Sequence, residues 1–170
     1  MKKPIAYLAS PLGFSEIGKL FHNRMLIPLV IETGFEIRDP WTLTSNEFID
    51  SALTLPYGQE KKEMWNRINS IMGHNNTIAI EESDIIIAIL DGTDIDSGTA
   101  AEIGYGSAFK KPIFGYRNDF RLGGENEGSI INLQVEYFIY LNGGEIVTNL
   151  ELLKIALTRY KDHLSKNYQN

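Results

Sequence analysis

The chain has 170 residues, a length that suits one domain able to bury roughly 70% of the surface that its unfolded chain exposes. It contains no cysteine, so a disulfide framework and a thiolate zinc site are excluded. Acidic residues outnumber basic ones by 22 to 16, giving a formal net charge of -6, whereas nucleic-acid-binding domains usually carry a basic stripe. We therefore expect one domain spanning residues 1–170, a reducing compartment and no nucleic-acid partner.

The first predicted element is a buried strand at 5–9. Its apolar run is interrupted by Tyr7 and stops at Pro11 after about seven residues, which is short for the hydrophobic part of a secretory signal. No stretch of the sequence approaches the ~20 apolar residues of a membrane helix. We expect a cytoplasmic protein without a membrane partner.

A long amphipathic helix and a second strand follow. Apolar residues recur at helical spacing over 14–33, and Gly34 is a suitable residue to end that helix. The alternation at 35–39 predicts the second strand. The turn-rich stretch 40–58 predicts a long loop, which in a compact domain is usually functional. Helical spacing returns over 60–82, in two stretches.

The third strand is predicted at 84–90, where an apolar run without alternation indicates burial on both faces, as in a parallel sheet. A helix is expected over 99–109, and a fourth strand follows at 112–116. The polar, glycine-rich residues 117–128 predict a loop. The next stretch, 130–141, fits a strand by its β-branched and aromatic residues and a helix by its length and the glycines that follow.

A short strand at 145–147 precedes a final helix over 149–164, with Thr148 as the N-cap and Glu151 completing a capping box. Strands that alternate with helices in this way imply a parallel sheet with helices on both faces. Ligands of such sheets bind at the carboxyl ends of the strands. That rule selects three loops, those that follow Ser10, Asp39 and Leu90.

The loop after the third strand concentrates carboxylates, namely Asp91, Asp94, Asp96 and Glu102. Neighbouring like charges raise one another's pKa, which a fold tolerates where the groups serve a function. Glu102 also has a simpler interpretation, a capping box with Thr99. A calcium loop is disfavoured because Ile95 and Asp96 stand where an EF-hand needs a ligand and a glycine. A phosphate loop is disfavoured because neither the dinucleotide nor the Walker glycine pattern is present.

A glycosyl-transfer reaction needs two carboxyl groups with different roles. Cleavage of a sugar–base bond develops positive charge at C1′, which one carboxylate stabilises or attacks while a second carboxyl protonates the departing base. Asp96 precedes the predicted helix and Glu102 lies in its first turn, so one loop presents both. The helix N-terminus favours an ionised Glu102, and the neighbouring charges push Asp96 toward its neutral form. No metal-ligand spacing appears, so we expect neither a metal nor a cofactor.

Four motifs carry a resemblance to a known family. Residues 91–105 read Asp-Gly-x-Asp-x-Asp-Ser-Gly-Thr-Ala-x-Glu-x-Gly-Tyr, and 111–116 read Lys-Pro-Ile-x-Gly-Tyr. Tyr-Leu-Ala-Ser-Pro-x-x-Phe occurs at 7–14, and Asn-Leu-x-Val-Glu occurs at 132–136. In this order, and over most of the chain, these motifs resemble the nucleoside 2-deoxyribosyltransferases, with Asp-Ser-Gly-Thr-Ala-x-Glu as the specific part.

The resemblance implies a flavodoxin-like fold, an α/β three-layer sandwich whose five parallel strands follow the order 2-1-3-4-5. It implies that Glu102 is the nucleophile of a covalent 2-deoxyribosyl-enzyme, that Asp96 assists proton transfer to the base, and that Tyr7 orients the nucleophile. The sugar would pass between free nucleobases with retention of configuration, and the substrates would be 2′-deoxynucleosides. It also implies a homo-oligomer with shared sites, because Asn132 would reach the sugar 5′-hydroxyl from a neighbouring subunit.

Further substrate-binding residues are predicted at Phe14, Asp91 and Gly98, which lie in the matching motifs. Trp41 either stacks on a base or covers the core, and we favour the base contact because this residue follows the second strand. Asp119 either pairs with Arg121 within its loop or borders the base pocket.

Two departures from the family concern Asn76, where some members carry an aspartate, and Gln134, where some carry a methionine. No acidic role is therefore expected at residue 76. The histidines His22, His74 and His163 are scattered along the chain and are predicted to be surface or helix residues.

Two rival functions are open on the sequence alone. A hydrolase of deoxynucleosides, or of their 5′-monophosphates, would use the same site with water as the acceptor. Asn132 favours a substrate with a neutral 5′-hydroxyl, whereas Ser129, three residues earlier, leaves a substrate with a 5′-phosphate open. A nucleoside-binding domain without turnover would keep Trp41 and Asn132 but would not need Glu102 and Asp96 together.

Overall fold

The computed structural model describes residues 3–167. Its centre is a five-stranded parallel sheet in the order β2-β1-β3-β4-β5, which confirms the predicted flavodoxin-like order. The strands are β1 (Ile5–Ala9), β2 (Glu36–Arg38), β3 (Ile85–Ile89), β4 (Ile113–Tyr116) and β5 (Glu145–Val147).

Helices connect successive strands and cover both faces of the sheet. They are α1 (Glu16–Phe21), α2 (Ile27–Glu32), α3 (Asn46–Leu53), α4 (Gln59–Glu82), α5 (Ser97–Ala108), α6 (Leu133–Leu141) and α7 (Leu150–Asn167). A 3-10 turn, Leu12–Phe14, precedes α1, and a π-helical segment, His22–Leu26, joins α1 to α2. Between residues 3 and 167, no helix combines the length and the apolar character needed to cross a membrane.

Both faces of the sheet are buried, because successive strand residues point to opposite sides and each side meets a helical layer. One face packs against α2 and α7. Its core includes Leu8, Val30, Ile87, Phe114 and Leu157. The other face packs against α4, α5 and α6. Its core includes Tyr7, Ile80, Ile86, Ile103 and Ile139. The three-layer arrangement therefore agrees with the continuous apolar strands of the sequence.

The predicted loop 40–58 contains the helix α3, which the sequence pattern does not reveal. Ser45 is its N-cap, with the side-chain oxygen accepting a hydrogen bond from the backbone N–H of Phe48 at 3.4 Å. Serine and asparagine favour turns and helix starts alike, so composition alone does not separate the two. The helical stretches predicted over 60–82 are one continuous helix, α4, in which Gly73 is exposed.

The ambiguous stretch 130–141 is helical, and Asn132 caps it as α6. The predicted cap of the last helix is wrong by one residue. The helix α7 begins at Leu150, and the side chain of Asn149, rather than that of Thr148, accepts a hydrogen bond from the N–H of Leu152 at 2.9 Å.

Candidate active site

A buried tyrosine and a carboxylate meet where β1 faces α5. Tyr7 is the central residue of β1 and is fully buried, and its hydroxyl donates a hydrogen bond of 2.6 Å to Oε1 of Glu102. Glu102 is half-buried on α5, which packs against β1 and β3. The hydrogen bond from Tyr7 therefore orients the Glu102 carboxylate through Oε1, and a role of Glu102 as nucleophile stays a prediction.

Burial sets the electrostatics of this pair. Burial raises the pKa of Glu102 from 4.5 to about 7, the hydrogen bond from Tyr7 lowers it, and the charge of Asp96 raises it. Burial, followed by the charge and hydrogen bond of Glu102 and the charge of Asp39, raises the pKa of Tyr7 far above its ordinary value. Tyr7 is therefore a phenol donor throughout the physiological range, while Glu102 titrates near neutrality.

The expected ionisation of Glu102 by the helix N-terminus is wrong, and the position of the helix explains why. The helix α5 begins at Ser97, two residues before the predicted Thr99, so Glu102 lies in its second turn. The field of a helix terminus acts mainly within the first turn. Burial therefore dominates the pKa of Glu102, and the prediction that Asp96 is the neutral carboxyl stays a prediction.

Asp96 is the N-cap of α5. Its Oδ2 accepts hydrogen bonds from the backbone N–H of Thr99 at 2.9 Å and from the Thr99 hydroxyl at 3.2 Å. The capping box between Thr99 and Glu102 is therefore wrong, because Thr99 is not the cap and Glu102 is not the third helical residue. Gly98 is exposed in the first turn, where an added Cβ would lie 3.2 Å from Asp96 Oδ2.

An aromatic wall, Phe14 and Trp41, stands beyond the carboxyl ends of β1 and β2. The two rings meet edge to face with centroids 4.8 Å apart. The indole N–H of Trp41 donates to the carbonyl of Ser10 at 3.2 Å, and Gly13 lies against the indole, where no Cβ would fit. Trp41 is 37% exposed and Phe14 is 77% exposed, so the wall offers open ring surface to a ligand.

Asp91 and Asp119 organise the neighbouring loops. Oδ1 of Asp91 accepts hydrogen bonds from the backbone N–H groups of Asn118 at 2.6 Å and Asp119 at 2.8 Å. The Asp119 carboxylate binds the Arg121 guanidinium, with Nε 2.9 Å from Oδ1, and this pairing holds the pKa of Asp119 well below its ordinary value. The geometry matches the pairing within the loop, and a substrate contact of Asp91 or Asp119 stays a prediction.

Asn132 performs the capping role that asparagine often has. Its Oδ1 accepts hydrogen bonds from the N–H groups of Gln134 at 3.1 Å and Val135 at 3.2 Å, and its Nδ2 donates to Glu125 Oε1 at 2.5 Å. Glu125 also accepts from the N–H of Leu133 at 2.8 Å. Within one chain the Asn132 side chain is thus held at the start of α6, and its contact with a neighbouring subunit's substrate stays a prediction.

Two buried polar groups near the site were not assigned a role from the sequence. His22 is buried and its Nε2 lies 2.8 Å from Oδ2 of the buried Asp39. Arg117 is also buried, and its guanidinium donates to the carbonyls of Leu90, Gly92 and Arg121. The place of Asp39 at the end of a strand was a usable signal, whereas backbone carbonyl partners leave no trace in the sequence.

Residues 3–167 do not bring three His, Cys, Asp or Glu side chains together in a group that would hold a metal ion. The Tyr7–Glu102 hydrogen bond and the Asp96 cap lie within the range that a known protein family also covers. The model of the family named nucleoside 2-deoxyribosyltransferase matches residues 6–134. The chain belongs to this family. Sequence comparison with curated proteins gives no significant match.

Solved structures share the fold of this nucleoside 2-deoxyribosyltransferase family member. A conserved protein from Enterococcus faecalis V583 is 22% identical, with a TM-score of 0.69 and coverage of 94% of this chain and 99% of that one. A 2-deoxyribosyltransferase from Bacillus psychrosaccharolyticus is 22% identical, with a TM-score of 0.61 and coverage of 88% and 90%. A CMP N-glycosidase from Clostridium botulinum is 20% identical, with a TM-score of 0.52 and coverage of 92% and 98%. At these identities the likeness shows the fold.

Proposed function

We propose that this chain transfers 2-deoxyribose between nucleobases by cleaving and re-forming the N-glycosidic bond of 2′-deoxynucleosides. The observation that carries the proposal is the 2.6 Å hydrogen bond from Tyr7 to Glu102 Oε1, which orients a half-buried carboxylate beside the ligand-binding edge of the sheet. Family membership supports the reaction class.

In the first half-reaction Glu102 Oε2 attacks C1′ of the bound nucleoside. The bond from C1′ to the base nitrogen breaks, its electron pair passes to the base, and a proton supplied with the help of Asp96 neutralises the leaving base. The charge of Asp96 raises the pKa of Glu102, and this interaction supports a shared role for the two carboxyls. Tyr7 keeps Oε1 occupied, so the attack uses the other oxygen.

In the second half-reaction an incoming base attacks C1′ with its nitrogen lone pair. The bond between C1′ and Oε2 breaks, Glu102 leaves as a carboxylate, and the proton of the incoming base returns to Asp96. Two inversions at C1′ give net retention. Because burial raises the pKa of Glu102 to about 7, the reactive carboxylate becomes more populated as the pH rises through neutrality.

The aromatic wall is proposed to hold the base, since open aromatic faces stack on every nucleobase. Asn132 of a neighbouring subunit is proposed to contact the sugar 5′-hydroxyl, which makes the active form a homo-oligomer. The substrate-binding roles proposed for Asp91, Gly98 and Asp119 concern the loops that border this pocket.

A hydrolase is the second candidate, because the CMP N-glycosidase from Clostridium botulinum shares the fold. A 5′-phosphate is nonetheless disfavoured in this chain. The Glu125 carboxylate lies 2.5 Å from Asn132 Nδ2, where a phosphate beside Asn132 would meet a like charge. Ser129, whose hydroxyl is the candidate phosphate ligand in the sequence, is buried. Free nucleosides are therefore the favoured substrates.

The test is an incubation of the protein with deoxyinosine and free adenine, followed by chromatography. Transfer yields deoxyadenosine together with hypoxanthine. Hydrolysis yields hypoxanthine without deoxyadenosine, at a rate that does not depend on adenine, and a binding domain yields neither product. Glu102→Ala should abolish product formation while the circular dichroism spectrum is unchanged, and near-normal turnover in that variant would remove Glu102 as the nucleophile.

A further inference from the structure

His22 occupies an unusual place in the fold. It begins the π-helical segment between α1 and α2, and segments of this kind are frequent at functional sites because they change which way side chains point. The imidazole is buried, its Nε2 lies 2.8 Å from Asp39 Oδ2, and its Nδ1 is buried without a hydrogen-bond partner in the described part of the chain. A buried polar group placed in this way calls for an explanation.

Asp39 connects His22 to the aromatic wall. It is buried at the end of β2, and while Oδ2 faces His22, its Oδ1 accepts the backbone N–H of Trp41 at 3.2 Å. The tautomer of His22 with a hydrogen on Nε2 is the one that can donate to a carboxylate oxygen of Asp39. The two oxygens therefore serve two different donors, and rotation of the carboxylate would break both bonds.

Trp41 is consequently fixed at three points. Asp39 holds its backbone, the Ser10 carbonyl holds its indole N–H, and Gly13 supports the ring. His22 acts on Trp41 through Asp39, because its contact with Oδ2 fixes the orientation of the Asp39 carboxylate.

Stability alone is a poor explanation for such a pair. Burying two polar groups costs desolvation, and well-packed apolar replacements are often neutral or stabilising. The same atoms are well explained if they control the position of the indole.

We propose that His22 and Asp39 are positioning residues that hold the aromatic wall of Phe14 and Trp41 in the geometry that binds the nucleobase. The proposal rests on the proposed function, since it assigns the wall to the base of the substrate. Loss of the pair should weaken binding in the ground state and the transition state alike, which raises KM and leaves kcat nearly unchanged.

The chain offers a built-in reporter for the test. It has two tryptophans, so Trp65→Phe leaves Trp41 as the single indole, and all variants are made in that background. Asp39→Asn keeps the volume but offers one oxygen to two donors. His22→Met fills the space without a donor, and His22→Gln restores a donor. The control is Asn142→Ala. This change removes the 3.0 Å hydrogen bond that Asn142 Nδ2 donates to the Ser107 carbonyl, in another part of the fold.

Three readouts are compared: acrylamide quenching of Trp41, the Kd for free adenine from quenching of Trp41, and the steady-state constants. We expect Asp39→Asn and His22→Met to raise acrylamide quenching and to raise Kd and KM roughly tenfold, with kcat within about threefold of the reference. His22→Gln should recover most of the change, and Asn142→Ala should lower the melting temperature without altering these readouts.

The proposal is overturned if folded Asp39→Asn and His22→Met match Asn142→Ala in all three readouts. If His22→Met fails to fold, Asp39→Asn decides by the same criteria. If the reference protein shows no turnover, the proposed function fails, and the adenine and acrylamide titrations still decide whether the pair positions the wall.

Discussion

The hydroxyl of Tyr7 lies 2.6 Å from Oε1 of Glu102, although 95 positions separate the two residues in the chain. This single bond opposes the effect of burial on the carboxylate, because it lowers a pKa that burial raises. The Glu102 carboxylate is thus kept titratable near neutral pH.

Tyr7→Phe should shift the pH dependence of the reaction. Without the phenol the pKa of Glu102 rises above about 7, so a smaller fraction is ionised at pH 7. We expect kcat/KM at pH 7 to fall roughly three- to tenfold and to recover as the pH is raised. The measurement is the pH profile of kcat/KM, with Tyr140→Phe on the half-exposed face of α6 as the control. If kcat/KM falls at the same acidic pH in Tyr7→Phe and in the wild type, Tyr7 does not control the pKa of Glu102.

Glu102→Gln should stabilise the protein at alkaline pH. The folded-state pKa of about 7 lies above the ordinary 4.5, so between these values the folded protein keeps a proton that the unfolded chain has released. Stability from this proton is complete below about pH 4.5 and is lost as the pH rises through 7. At pH 8 the variant should gain about 3 kcal/mol in the free energy of unfolding, with the gain vanishing near pH 4.5.

Urea denaturation of both proteins at pH 8 and pH 4.5 measures that difference, and other titrating groups cancel because they are common to both. The amide oxygen of the Glu102→Gln variant would still accept the Tyr7 hydrogen bond, so packing is preserved. A gain that is equal at both pH values would show that burial does not perturb the charge of Glu102.

Asp96 is the N-cap of α5 and is proposed to assist proton transfer to the base, and substitution can separate these two roles. Asp96→Ala should lose the N-cap of α5 at a cost of about 1 kcal/mol together with activity, whereas Asp96→Ser retains a capping oxygen. We expect Asp96→Ser to melt within a few degrees of the wild type but to lose about 10²-fold in kcat, since the carboxyl that serves the base is gone. Thermal melts and initial rates check this. Normal turnover by Asp96→Ser would leave Asp96 as a cap and nothing more.

Arg117 should be essential for the loops on either side of the site. Its buried guanidinium donates to carbonyls of the segments after β3 and β4, including that of Arg121 at 2.6 Å. Arg117→Met leaves these carbonyls without donors, and we expect a loss of about 3 kcal/mol in the free energy of unfolding. Arg117→Lys should recover little of this stability, because a single ammonium group cannot donate to all three carbonyls at once. Equal stability of all three proteins in urea would refute this account.

Shared sites can be tested by complementation. Asn132→Ser keeps a capping oxygen for α6 but lacks the amide donor, and Glu102→Ala lacks the nucleophile. Each variant alone should be nearly inactive. After the two are unfolded and refolded together, mixed oligomers should regain measurable deoxyadenosine synthesis, because some sites then combine an intact Glu102 with an intact Asn132. No regain in an oligomer shown to be mixed would place both residues in one subunit's site.

The sheet was predictable from the sequence, whereas the roles of the site residues stay predictions. The apolar runs at 5–9 and 84–90 lack alternation because both faces of the sheet are covered, and that pattern is local. The strand order and the roles considered for Tyr7 and Glu102 came from the family motifs. The direction of the Glu102 pKa was missed, since a helix start displaced by two residues moved the carboxylate out of the first turn.

Other features depend on tertiary contacts that no local pattern contains. His22 and Asp39 lie 17 positions apart in the chain and come into contact in the fold, with His22 at the start of the π-helical segment. The partners of Arg117 are backbone carbonyls, which any residue supplies. The helix α3 was hidden because the residues that start it are also the residues that make turns.

The position of Asp96 at the start of α5, with Glu102 further along the same helix, has a consequence for engineering. Because one residue caps the helix and the other lies within it, the distance between the two carboxyls depends mainly on α5 and little on the surrounding segments. Under the proposed function, we expect that rebuilding 40–45, on a separate part of the chain, alters base preference without retuning the acid–base chemistry. Specificity and reactivity would in this sense be modular.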